Sequence, residues 1–86
     1  MNRTKYVIVD GNAIIFSNPI QHSYMVGHNQ KVDGAGFVYF NVDKDEDGNT
    51  IVTCEAYGES ISLGVKSRGE EDSKILTKQI TNPFFY

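Results

Sequence analysis

Phe37-Val38-Tyr39-Phe40-Asn41-Val42 and Ile51-Val52-Thr53-Cys54-Glu55-Ala56-Tyr57, inside the stretch from Ala35 to Tyr57, decide the fold. Both runs are rich in β-branched and aromatic residues. The polar run Asp43-Lys44-Asp45-Glu46-Asp47-Gly48-Asn49-Thr50 separates them. Two such runs around a Gly-containing polar segment read as a β-hairpin. Its register follows from the pleat. Val38, Phe40 and Val42 share one face, as do Val52, Cys54 and Ala56. Opposed residues lie on the same face, so the two apolar rows must meet. A two-residue turn at Asp47-Gly48 would set Val42 against Thr53 and Phe40 against Glu55, mixing the faces. A three-residue loop, Glu46-Asp47-Gly48, sets Val42 against Val52, Phe40 against Cys54 and Val38 against Ala56. It also puts Gly48 where a type I turn followed by a bulge needs φ > 0.

Working outward on the N-terminal side, Tyr6-Val7-Ile8-Val9 and Ala13-Ile14-Ile15-Phe16 flank Asp10-Gly11-Asn12, a second hairpin with good turn residues. Val7, Val9, Ile14 and Phe16 lie on one side, and Tyr6, Ile8, Ala13 and Ile15 on the other. A hairpin apolar on both faces is buried on both. In a chain this small, that predicts a sheet rolled into a barrel, a second subunit as cover, or both. Asn18-Pro19 looks like a helix start, and the two turns over residues 20–26 would end at Gly27. Gly27 to Gly36 reads as loop with a short strand at Lys31-Val32-Asp33, and Gly34 and Gly36 as a sharp turn into the central hairpin.

On the C-terminal side, Gly58 permits a turn, and Ile61, Leu63 and Val65 alternate with Ser60, Ser62 and Gly64 like a strand with one buried face. Ser67-Arg68-Gly69-Glu70 fits a capping box, and Glu70, Glu71 and Asp72 suit the positive end of a helix. Ile75, Leu76, Gln79 and Ile80 form a narrow apolar stripe, and Glu70 with Lys74 is a favourable i,i+4 pair. Asn82-Pro83 ends that helix. The expectation is one mainly β (α+β) domain over residues 1–86. Two antiparallel hairpins plus further strands form a small rolled sheet or partly open barrel, with one C-terminal helix.

Composition agrees and narrows the function. Eight Ile and eight Val against two Leu favour strand over helix. A formal charge of −3 with scattered Lys and Arg argues against a nucleic-acid partner. Cys54 is the only cysteine, which leaves no internal disulfide and no thiolate cluster. The N-terminal apolar run is too short for a signal-peptide core or a membrane span, so the expected location is the cytoplasm, with no membrane partner.

The segments Tyr6–Phe16 (YVIVDGNAIIF), Val32–Phe40 (VDGAGFVYF) and Tyr57–Asp72 (YGESISLGVKSRGEED) are similar to small uncharacterised proteins of tailed phages infecting marine bacteria, and of marine metagenomes. The resemblance implies a phage or marine-bacterial setting, hence the cytoplasm of a bacterial host. It implies no activity and no residue roles.

Four constellations bear on chemistry. Asp43-x-Asp45-x-Asp47-Gly48 matches the opening of a calcium loop, with Asn49 supplying the next carbonyl. The twelfth position is Cys54 instead of a bidentate Glu, and the flanks read as strands. An acidic hairpin tip explains the same residues, since Asp and Gly are good turn formers. Gly58-Glu59-Ser60-Ile61-Ser62 approaches a nucleophile elbow but lacks its second Gly. His22 and His28, with Asp10 or Asp33, lack metal-ligand spacing. The terminal Phe84, Phe85 and Tyr86 either fold back or meet a partner. No nucleophile–base pair shows, so an enzyme is not expected. The expectation is a non-catalytic structural or interaction protein acting as a homo-oligomer. The alternative is a small ligand- or Ca²⁺-binding module using Asp43, Asp45, Asp47 and Asn49.

Overall fold

Both hairpins form, and a single long strand joins them. The structure is a computed structural model that describes residues 3–27 and 29–81. Strands β1 (Thr4–Val9), β2 (Asn12–Ser17), β3 (Val32–Lys44) and β4 (Thr50–Tyr57) make one antiparallel sheet in the order β2-β1-β3-β4. A small hairpin of β5 (Glu59–Ser60) and β6 (Val65–Lys66) follows, then the helix α1 (Glu70–Thr81). The mainly β expectation with one C-terminal helix is therefore met, and the sheet is open rather than closed into a barrel.

The central register is the one that face parity requires. Val42 pairs with Val52, Phe40 with Cys54 and Val38 with Ala56. The loop closes with the Gly48 N–H donating to the Asp45 carbonyl at 3.1 Å, and Gly48 takes φ +80°. At the first hairpin Asp10 and Gly11 both have φ > 0, so Val9 pairs with Asn12 across a tight two-residue turn.

β1 lies at the centre, with Tyr6, Val7 and Ile8 wholly buried. One face carries Tyr6, Ile8, Val38 and Cys54 under Leu76 of α1, with Ile75 and Ile80 packed alongside. The other face carries Val7, Val9, Phe16 and Ala35 under Met25, Val26, Leu63 and Val65. The expectation that so short a chain leaves one face of this hairpin for a second subunit is thus corrected. The loop after β2 and the β5–β6 hairpin cover that face from within the chain.

Helix α1 also guards the sheet's two edges. Ala56 N–H donates to Ser73 Oγ and Cys54 N–H to Thr77 Oγ1, each at 2.8 Å, along the outer edge of β4. Gln79 brackets Ala13 on the outer edge of β2, its side-chain oxygen accepting from Ala13 N–H and its Nε2 donating to Ala13 O at 3.0 Å. Polar side chains placed on edge groups discourage strand addition.

Five local readings are corrected. The Asn18-Pro19 bond is cis, and the segment closes a turn from Ile20 N–H to Ser17 O. The expected helix over residues 20–26 shrinks to one 3₁₀ turn at His22–Met25, since so short a run has little intrinsic helicity. Gly34 and Gly36 do not break the chain. They lie inside β3, where a Cβ at Gly34 would overlap the Asp72 carboxylate and one at Gly36 the Tyr57 carbonyl. The expected strand from Ser60 to Val65 is broken at residues 61–64 by a tight turn, with Gly64 at φ +67° and its N–H donating to Ser60 O, so that Ser60 and Val65 pair across it. Ile61 stands at that turn 91% exposed. Finally, the capping box is displaced. Ser67 Oγ accepts from Gly69 N–H, and the carboxylate that reaches back is Asp72, accepting from Arg68 N–H at 3.0 Å. Glu70 is left outside, 3.5 Å from Lys74.

Candidate functional site

The distal half of the central hairpin projects beyond this core. From Tyr39 to Lys44 every residue of β3 is exposed, as are Thr50, Ile51, Thr53 and Glu55 opposite. It is reached by helix α1 only at Cys54. Its two faces differ because the pleat separates their residues.

One face continues the plane of the second core. Lys5 pairs with both Phe16 and Phe37, and Phe37 pairs with Tyr57, so Phe16, Lys5, Phe37 and Tyr57 form a row across all four strands. The buried His22 ring meets Phe16 edge-on at 5.2 Å and Phe37 at 5.9 Å, and its Nε2 contacts Gly36 O at 2.8 Å. Phe37 is half-buried, and outward from it Tyr57 and Tyr39 are exposed. Phe37 to Tyr57 is 5.7 Å between centroids, and Tyr57 to Tyr39 is 6.2 Å. Tyr39 is 62% exposed.

The strip carries different charges at its two ends. The Arg3 guanidinium lies 4.9 Å from the Phe37 centroid, a cation–π contact. Arg3 and Lys5 line a groove of about 570 Å³ with His22, Phe37, Glu59 and Ile61. Lys5 spends one hydrogen on Ile20 O at 2.9 Å. Glu55 pairs across the strands with Tyr39, and with Tyr57 and Glu70 it lines a second groove at the other end. The opposite face of the projecting hairpin is apolar, with Phe40 opposing Cys54, Val42 opposing Val52, and Val42 70% exposed.

The residues singled out from the sequence fall elsewhere. Asp45 organises the hairpin tip. Its Oδ1 accepts from Asp47 N–H at 3.0 Å and Asn49 N–H at 2.8 Å, and its Oδ2 from Asn49 Nδ2. The Asn49 backbone N–H above all, then the Asn49 side chain and Asp47 N–H, hold the Asp45 carboxyl below its ordinary value. Asp43 accepts from Lys44 N–H. Among the described residues, no three or more His, Cys, Asp or Glu side chains converge as ion ligands, so the tip's geometry is that of an Asx turn. Asp10 and Asp33 serve the first turn, accepting from Lys31 N–H and Gly11 N–H, while His22 contacts Gly36 O. His28, Phe84, Phe85 and Tyr86 lie outside the described residues. Ser60 is buried and its Oγ accepts from Leu63 N–H, so it anchors the turn at residues 61–64.

The aromatic strip was missed from sequence, although the signal was there. Once Val42 faces Val52, Phe37 must face Tyr57, with Tyr39 on the same side. No family model, curated protein or solved structure matches the chain. Among the described residues no helix is long and apolar enough to cross a membrane.

Proposed function

We propose that this chain is a non-catalytic interaction protein that binds protein partners, itself included, through the projecting half of β3–β4. One observation carries the reading: the exposed rings of Tyr57 and Tyr39 beside the half-buried Phe37, in a chain that covers both faces of its other hairpin. Tyr, Phe and Arg are the residues that dominate protein interfaces, because they bury large area at low entropic cost. A two-stranded ribbon is also marginal alone, so cover from a partner stabilises it. The groups best suited to chemistry are engaged in holding the fold. His22 contacts a strand carbonyl, Ser60 anchors a turn, and burial pushes the Cys54 thiol up from its ordinary range.

The homo-oligomeric form of this reading uses the other face, where Phe40, Val42 and Val52 meet their copies. The setting we attach to it is the one the sequence resemblance implies: a phage-related protein in the cytoplasm of a bacterial host. The experiment is affinity capture from such a host with the wild-type chain and with Tyr39→Ser/Tyr57→Ser as bait, at matched folded concentration. Proteins retained by the wild type and lost by the variant support the reading. Identical retention, or none, contradicts it.

A further inference from the structure

The strip has a direction, and that direction specifies a ligand. Arg3 and Lys5 stand at the Phe37 end, and neither makes an ion pair with another described residue. Glu59 on the far wall of that groove leaves a net positive charge there. At the Tyr39 end Glu55 is exposed and likewise makes no ion pair with another described residue, and Glu70 beside it is 3.5 Å from Lys74. Between the ends lie three rings in steps of 5.7 and 6.2 Å. Alternate side chains of an extended peptide recur every ~6.6 Å. Side chains i, i+2 and i+4 of such a peptide can therefore follow the rings in turn.

Resting on the interaction reading above, we propose that the strip binds an extended peptide segment of fixed charge polarity. A carboxylate side chain meets Arg3 and Lys5, an apolar side chain lies on Phe37 and Tyr57, and a cationic side chain meets Glu55 beyond Tyr39. Complementary charge at both ends fixes the register of such a chain and rejects wrong partners. Stacked rings also suit single-stranded nucleic acid, whose bases stack on aromatic platforms. A polynucleotide, however, places a phosphate at every step. Here the cations without an ion pair to a described residue stand at one end only, Glu55 and Glu59 would face the phosphates, and the chain carries −3 overall. The charges favour the peptide.

The test is an NMR titration with three capped peptides, Glu-Pro-Leu-Pro-Lys, Glu-Pro-Leu-Pro-Glu and Lys-Pro-Leu-Pro-Lys, and with an oligothymidylate. The mixed-charge peptide should bind the wild type ~10-fold or more tightly than either like-charged one, moving the signals of Phe37, Tyr39 and Tyr57. Arg3→Glu/Lys5→Glu should shift the preference to the two-lysine peptide, and Glu55→Lys to the two-glutamate peptide. Arg3 and Glu55 are exposed, whereas Lys5 is half-buried and bonded to Ile20 O, so each variant's folding is verified by its amide dispersion, with Arg3→Glu alone as the second variant should the double change unfold the chain. An unchanged preference in the variants, no peptide binding, or tighter binding of the oligothymidylate overturns the proposal. If that occurs while capture still depends on Tyr39 and Tyr57, the interaction reading survives and only the ligand class falls.

Discussion

The Tyr6 hydroxyl donates to Asp72 Oδ2 at 2.6 Å, tying the central strand to a helix residue 66 positions later. Asp72 is 0% exposed, and its other oxygen accepts from Arg68 Nε at 2.8 Å. Arg68 N–H completes the set. A buried carboxylate is tolerated only when it is paired and hydrogen-bonded, as this one is. Asp72→Ala removes the acceptor of the Arg68 N–H and Nε and leaves the Tyr6 hydroxyl only Ser67 Oγ, at 2.7 Å. It should cost about 1–3 kcal/mol in denaturant unfolding. A loss below about 1 kcal/mol would mean that the network contributes little.

Gly34 explains why the carboxylate fits. A Cβ there overlaps Asp72, so Gly34→Ala should destabilise by about 1–3 kcal/mol or more. The two changes should also couple. In the Asp72→Ala background the space is free, and Gly34→Ala should then be nearly neutral. Additive losses in the double-mutant cycle would contradict the packing described.

Burial, then the bond to Asp72, pushes the Tyr6 phenol well above its ordinary value of 10.0. A group whose folded pKa is raised contributes stability that is complete below its unfolded pKa and lost as pH rises beyond it. Stability should therefore fall above pH 10, and Tyr6→Phe should flatten that fall while lowering stability at neutral pH. An unchanged alkaline limb in Tyr6→Phe would sink the assignment.

At the acidic tip the sign is opposite. The turn's N–H groups depress the Asp45 carboxyl, so its contribution is present above the ordinary value of 3.8 and lost as pH falls below it. A carboxyl-detected titration should place the Asp45 midpoint under 3.8. Since Asp45 is committed to the turn, millimolar Ca²⁺ should leave the melting temperature of the wild type unchanged. A rise in the wild type that Asp45→Ala abolishes would restore the calcium-binding alternative.

Self-association is tested by light scattering at micromolar concentration. The proposed homo-oligomer requires a mass above 9.6 kDa that Val42→Asp returns to the monomer value. A clean wild-type monomer removes that form of the proposal. Deletion of residues 83–86 separately tests whether Phe84, Phe85 and Tyr86 contribute.

What could be read from the sequence was whatever parity and turn chemistry determine. Val42 against Val52 follows from two alternating rows and a glycine that must take φ > 0. Helix α1 followed from its acidic first turn and its stripe, although Asp72 rather than Glu70 closes the cap and the expected stop at Asn82-Pro83 lies outside the described residues. What could not be read depended on tertiary contacts. Gly34 and Gly36 looked like breakers because nothing local shows that Asp72 and the Tyr57 carbonyl crowd them. Asp72 looked like an ordinary first-turn acid because its partner, Tyr6, lies at the other end of the chain. Likewise, no local pattern shows that Leu63 and Val65 cover the hairpin's second face. The aromatic strip was within reach, but the apolar Val38–Val42 row drew the reading to the opposite face.

The central claim is that Phe37, Tyr39 and Tyr57 form the contact surface. Hydroxyl-radical footprinting of the free chain and of the complex it captures tests this directly. The account predicts ready oxidation of Tyr39 and Tyr57 in the free chain, protection of both in the complex, and little oxidation of Tyr6 in either. Equal oxidation of Tyr39 and Tyr57 in the free and captured chain would contradict it.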